Sequence, residues 1–296
     1  MDATQLGGMI ATVVTPFDEN DQVDVSKIRA EVEYLLGTGV TAICACGSTG
    51  EGQTLSLEET SAIIREVATV VDGRVPVIAG VIQNSTAQAI RYCLAAKEAG
   101  ADALQVTPVH YVFKPSVDEE VEHYRLIADA VGLPIVLYNV VPWALVQVDG
   151  IARIAEEVPL VVAIKQSGGN IHLLAELLAN YRDRFRILAA LDNLHYPAFV
   201  MGAHGALAAI PTVTPRLSVE LWDAVQRGDH AAARSLHEKI LAVWTAIDGP
   251  NLPARIKAAL ELQGRDGGRP RKPFAPASDA ERAEIGQALK VAGLIA

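Results

Sequence analysis

Lys165 is the residue in this chain with the most to offer chemically. Of the eight lysines, only Lys165 directly follows a strand-like apolar run, Val161-Val162-Ala163-Ile164. Lysine is rarely buried unless it is paired or used. Burial penalises an ammonium ion, so a desolvated lysine gives up its proton more readily. The neutral amine can then attack a ketone and form a Schiff base. A lysine salt-bridged inside the fold is the alternative. Tyr138 closes an apolar run one strand-and-helix unit earlier, which predicts adjacent strands about 4.8 Å apart for the two residues. A phenol beside an amine can relay protons while a carbinolamine and an imine form. Alone, a strand-end tyrosine reads as a packed aromatic with a bonded hydroxyl; its pairing with Lys165 favours the relay.

A third cluster is Gly47-Ser48-Thr49-Gly50-Glu51-Gly52. Glycines let the backbone bend close to a ligand, and successive N–H groups can hold a carboxylate. Ser48 and Thr49 add side-chain donors. A plain tight turn would also explain the segment. Glu51 fits an acid catalyst or, more simply, a carboxylate bonding the loop backbone. His110 fits a contact to substrate hydroxyls or an exposed loop histidine.

These residues need elements to position them. Short apolar runs at 10–14, 42–45, 75–80, 103–106, 135–138, 161–164, 186–189 and 206–209 read as strands. Helical stretches lie between them, and Ser56 with Glu59 and Ser116 with Glu119 have capping-box spacing. Strand starts recur roughly every 25 to 33 residues, the length of a βα unit. About eight such units predict a closed (β/α)8 TIM barrel, with the active site at the C-terminal strand ends. An open doubly wound sheet would show GxGxxG after an early strand, and none follows the first strand here. The strand signal stops near residue 216. Residues 216–227 read as the eighth barrel helix. Stretches 230–247, 253–263 and 279–292 read as three further helices. The chain therefore divides into a barrel at 1–228 and a C-terminal helical extension at 229–296. Residues 264–278, with three glycines and three prolines, read as a loop whose basic cluster 269–272 is solvated.

Composition narrows the class. The 296 residues are 50% hydrophobic and 20% charged, as in ordinary globular chains. Twenty-five basic and 35 acidic residues give −10, which argues against a nucleic-acid or anionic-membrane partner. The three cysteines, Cys44, Cys46 and Cys93, are too few and too oddly spaced for a disulfide framework. Neither CxxC nor HExxH occurs, which leaves a structural zinc site little support. The N-terminus has no basic start and apolar run, and no stretch approaches a membrane span. The expectation is a soluble protein in a reducing, cytoplasmic setting.

The GSTGE segment, the strand-end Tyr138-Asn139 and Lys165 one unit later together resemble the dihydrodipicolinate synthase / N-acetylneuraminate lyase family. The likeness starts at Ala11-Thr12-Val13-Val14-Thr15-Pro16-Phe17. It continues through Ala79-Gly80, Asn84-Ser85-Thr86, Gly100-Ala101-Asp102-Ala103 and Gly202-Ala203-His204-Gly205 to Arg271-Lys272-Pro273. The resemblance implies Schiff-base lyase chemistry on 2-oxo acids such as pyruvate, carried by a (β/α)8 barrel with a helical extension, assembled as a homotetramer. It implies Lys165 as the imine lysine and Tyr138 as the proton relay. It implies Ser48 and Thr49, with Gly47, at the carboxylate, and Leu207 beside the pyruvate methyl. Tyr111, or His110 because the motif is one residue longer here, matches a tyrosine lent to a neighbouring subunit's site.

One departure bears on the substrate. Dihydrodipicolinate synthases carry an arginine shortly after this tyrosine, and it binds the second substrate's carboxylate. This chain reads Val140-Val141-Pro142-Trp143-Ala144-Leu145. A guanidinium fork is not replaced by an indole or a methyl group. Trp143, Leu145 and Phe113 suggest a more apolar distal pocket, unless Trp143 packs away from it. Three functions stay open: a pyruvate-dependent aldolase, a 2-keto-3-deoxy sugar acid dehydratase using the same imine, and a non-catalytic binding barrel.

Overall fold

The computed structural model describes residues 6–168 and 171–296. The expectation drawn from residues 1–5 at the N-terminus lies outside them. Among the described residues eight strands form a closed parallel barrel in sequence order: β1 Gly8–Thr12, β2 Ala42–Ala45, β3 Val77–Val81, β4 Ala103–Val106, β5 Ile135–Asn139, β6 Val161–Gln166, β7 Arg186–Ala189 and β8 Gly205–Leu207. Strand β8 returns to β1, pairing Gly8 with Gly205 and Ile10 with Leu207. That closure depends on glycine. A Cβ on Gly205, whose φ is +145°, would stand 2.1 Å from the Gly8 carbonyl oxygen.

Helices α1 Val25–Leu36, α2 Leu57–Val71, α3 Thr86–Glu98, α4 Val117–Val131, α5 Val148–Glu157 and α6 Ile171–Tyr181 cover the outside of the first seven strands. Capping boxes start α2 at Ser56 and α4 at Ser116. Short helices α7 His195–Val200 and α8 Ile210–Val213 then precede α9 Pro215–Gln226. The extension is α10 His230–Ile247, α11 Leu252–Leu262 and α12 Asp279–Val291.

Several boundaries differ from the sequence expectation. Strand β3 starts at Val77 rather than 75, because Pro76 has no N–H to give a ladder. Strand β8 ends at Leu207 rather than 209, because Ala209 already has helical dihedrals as the cap of α8. Strand β1 spans Gly8–Thr12 rather than 10–14. Lys165 lies inside β6, not after it. Helices α7 and α8 were not expected; prolines near their starts, Pro197 and Pro211, were the available signal.

The largest correction concerns Arg271 in the basic cluster 269–272: Arg269 and Lys272 are exposed as expected, but Arg271 is drawn into the fold. Arg271 donates to the Thr54 carbonyl at 2.7 Å, to the Asp21 carbonyl at 2.8 Å and to the Glu59 carboxylate. Arg269 and Phe17 form an antiparallel bridge. The Arg265 guanidinium makes a buried pair with Glu31 of α1. The segment after α11 therefore straps the extension onto the barrel.

Candidate active site

Residues two apart on a strand face the same way. Ala103 of β4, Val136 of β5 and Ala163 of β6 belong to the apolar interior of the barrel, with Ile10, Cys44, Leu188 and Leu207. Two residues further on, toward the C-terminal mouth, stand Gln105, Tyr138 and Lys165. The interior thus turns polar at the end where such barrels do chemistry.

Tyr138 and Lys165 are paired in register across β5 and β6. Lys165 is only 5% exposed. Its Nζ lies 4.0 Å from the centre of the Tyr138 ring. The Tyr138 hydroxyl donates to Ser48 Oγ at 3.1 Å, and Ser48 is open to solvent. The amine thus sits over the face of the phenol ring, and the phenol's hydroxyl reaches the serine at the mouth. Leu207 is fully buried on β8, in the same interior cluster as Cys44 and Leu188. Burial pushes the Cys44 thiol up to about 11, with the nearby Lys165 charge opposing the shift.

The loop after β2 is tightly folded. Cys46 adopts a left-handed φ of 59°, and Ser48–Gly50 forms a 3-10 turn. The Gly47 carbonyl accepts from both Gly50 and Gly52 N–H at 3.0 Å. A Cβ on Gly52 would stand 1.8 Å from the Cys46 carbonyl oxygen, so only glycine fits. Thr49 is buried and Gly47 packs against Gln105. Glu51 is turned away from the mouth. Its Oε1 accepts from Lys257 Nζ at 2.5 Å and its Oε2 from the Arg271 N–H at 2.9 Å.

The rim holds the remaining residues singled out by sequence. His110 is half-buried, with Nδ1 3.0 Å from the Pro108 carbonyl oxygen. Trp143 is 68% exposed, yet its indole N–H donates to the His110 carbonyl at 2.8 Å. The indole is thereby fixed at the rim rather than packed beneath a helix. Tyr111 is 74% exposed and Phe113 82% exposed. Neither is packed into the barrel interior of its own chain. Leu145 is partly buried beside Gly168.

Two buried polar groups at the C-terminal end of the barrel carried no role in the sequence reading. Asp192, in the turn after β7, accepts from the Ile210 N–H at 2.6 Å. Burial pushes its carboxyl up to about 6, against the pull of backbone N–H groups and of Lys165. Gln105 is fully buried, and its Nε2 has no hydrogen-bond partner among the described residues. The signal for Gln105 was its parity: a single amide in the apolar run Ala103–Val106, on the inward face. For Asp192 it was a carboxylate at a strand end. Asn139, by contrast, is occupied structurally, holding Val146 and Gln166 at 2.9 to 3.0 Å. Among the described residues no group of three or more His, Cys, Asp or Glu side chains gathers to hold a metal. No described helix is long and apolar enough to cross a membrane.

A closed (β/α)8 barrel with a buried lysine and a phenol on neighbouring strands has the architecture of a Schiff-base lyase. The profile of the dihydrodipicolinate synthetase family matches residues 5–292, and the chain belongs to that family. It is 38% identical over 291 residues to the 4-hydroxy-tetrahydrodipicolinate synthase of Geobacter metallireducens, an alignment covering 97% of this chain and 99% of that one. The solved dihydrodipicolinate synthase of Bacillus anthracis superposes with a TM-score of 0.90 at 36% identity, covering 96% of this chain and 97% of the other. A prophage protein of the same family from Escherichia coli K12, solved in complex with pyruvate, superposes at 0.92 with 27% identity, covering 98% and 99%. The protein is accordingly a lyase of the class I pyruvate aldolase type. Enzymes of this family hold pyruvate as a covalent lysine imine and need no metal or organic cofactor.

Proposed function

We propose that this chain is a pyruvate-dependent aldolase whose second substrate is not the one its synthase relatives use. Lys165 would attack the pyruvate ketone, lose water and form the protonated imine. Tyr138 would move protons during carbinolamine collapse and imine-to-enamine conversion, with Ser48 linking the phenol to the mouth. The N–H groups at Gly47, with Ser48 and Thr49, would hold the pyruvate carboxylate. Leu207 would flank the methyl group. The enamine carbon then bonds to an aldehyde carbon, and hydrolysis of the new imine frees Lys165. Cleavage is the same path reversed. The observation that carries this reading is the register pairing of Tyr138 with Lys165, together with the phenol's bond to Ser48.

The distal pocket supports a different partner. The segment at 140–145 offers an anchored indole and aliphatic groups, and no guanidinium. An aldehyde with a neutral or apolar distal end suits Trp143, with His110 and Tyr111 at the rim for polar groups. The test is to incubate the enzyme with pyruvate and a panel of aldehydes, and separately with 2-keto-3-deoxy sugar acids. Carbon–carbon bond formation, or pyruvate release from the sugar acid, supports the aldolase. Loss of water without pyruvate release would identify the dehydratase. Retained binding with no turnover would identify a binding barrel.

We propose further that the chain works in the cytoplasm as a homotetramer, with the barrel at 1–228 and the extension at 229–296. The three free, buried cysteines fit a reducing compartment. The exposed Tyr111, Val112 and Phe113 fit a face covered by a second copy. Sedimentation of the purified protein tests the assembly.

A further inference from the structure

The strongest unassigned feature is a buried charged junction between the extension and the loop after β2. Lys257, on α11, is 3% exposed. Its three donors are all used: Glu51 Oε1 at 2.5 Å, the Thr15 carbonyl at 2.7 Å and the Arg269 carbonyl at 2.7 Å. Phe17 lies beneath it, with Nζ 4.9 Å from the ring centre. The second Glu51 oxygen takes the Arg271 N–H. Glu51 itself has a left-handed φ of 54°, an uncommon conformation for a residue that is not glycine.

The backbone of Glu51 is the hinge of the loop. Its N–H donates to the Ser48 carbonyl at 3.0 Å, and its carbonyl accepts from Thr54. Next to it, the Gly50 carbonyl accepts from Thr15 Oγ1 at 2.6 Å. Lys257 therefore joins two loop segments into one bracket: Thr15, which follows β1, through its carbonyl, and Glu51, in the loop after β2, through its carboxylate. Ser48 and Thr49 lie inside that bracket. A buried ion pair of this kind adds little net stability compared with an apolar pair, whereas removing one partner leaves the other charge buried and uncompensated.

We propose that Lys257 is a positioning residue for the pyruvate site: through Glu51 it sets the Ser48–Thr49 turn, so the helical extension is part of the catalytic unit. This rests on the function proposed above. Without Lys257, the Glu51 carboxylate is stranded in a dry site and must swing toward water, taking the Ser48 carbonyl with it. Misplacement of a positioning group by about 1 Å costs on the order of 100-fold in rate.

The experiment compares Lys257→Met with Leu289→Ala, a buried position of α12, which packs against α10 and α11. Both are assayed below their melting temperatures, by borohydride trapping of pyruvate as a function of pyruvate concentration. Lys257→Met is expected to raise the half-saturating pyruvate about 10- to 100-fold. Leu289→Ala, though destabilised, keeps the wild-type value. Lys257→Ala is expected to recover part of the loss in added ethylammonium, and not in sodium at equal ionic strength. If Lys257→Met folds and saturates like wild type, the proposal is overturned while the Schiff-base reading stands. If Lys257→Met does not fold, ethylammonium rescue of Lys257→Ala decides: recovered affinity supports the proposal, and folded protein without recovery overturns it. A wild-type protein that traps no 2-oxo acid overturns both.

Discussion

Replacing Tyr138 with phenylalanine separates the role of its hydroxyl from the packing of its ring. The ring stays in β5, 4.0 Å from Lys165 Nζ, so the barrel interior keeps its volume. What is lost is one hydrogen bond of 3.1 Å to Ser48. Ser48 faces solvent, so water takes the vacated place and no buried group is stranded. The stability cost is therefore about 1 kcal/mol or less. A positioned proton donor contributes roughly 100- to 10,000-fold to rate, or about 3 to 5 kcal/mol of barrier. The assay that isolates this step is exchange of the pyruvate methyl protons with deuterium, followed by NMR. It needs imine and enamine formation and no second substrate. Tyr138→Phe is expected to melt near wild type and exchange at least 100-fold more slowly. Exchange within about threefold of wild type, with the lysine adduct still forming, would refute the relay.

Asp192 predicts a pH limb. Its carboxyl titrates near 6 because burial raises it. The folded state thus binds this proton more tightly than the unfolded one, so the associated stability is present at low pH and is lost as pH rises through about 6. Above that pH the carboxylate faces Lys165 and favours the protonated imine. The pyruvate exchange rate should rise through pH 6 in wild type and lose that limb in Asp192→Asn; an unchanged profile would count against it. Gly52→Ala places a methyl 1.8 Å from the Cys46 carbonyl, so a loss of roughly 3 kcal/mol in denaturant stability is expected. Native stability would show that the loop can relax. Trp143→Ala removes an exposed indole and should leave stability within about 0.5 kcal/mol and pyruvate trapping unchanged. It should raise KM for the second substrate; an unchanged KM would place that substrate elsewhere.

The barrel was legible because its strands are apolar runs at a regular interval, and every strand needs a helix to cover it. Lys165 and Tyr138 stood out because each interrupts or ends such a run. The ends of elements were less legible. Pro76 and Ala209 shift β3 and β8 by what their backbones can donate or adopt, which hydrophobicity does not report. The junction of Arg271 with Glu59, Thr54 and Asp21 joins residues about two hundred positions apart, so no local pattern carries it. From sequence its arginines looked like a solvated run. Asp192 likewise gains its raised carboxyl only from burial in the folded barrel, which no local pattern reports.

Imine formation by Lys165 is tested by adding borohydride in the presence of pyruvate and mapping the reduced peptide by mass. One reduced pyruvyl adduct is expected, on the peptide holding Lys165, and it is abolished in Lys165→Arg. An adduct on another lysine, or none with pyruvate, 2-oxobutyrate or a 2-keto-3-deoxy acid, would contradict it.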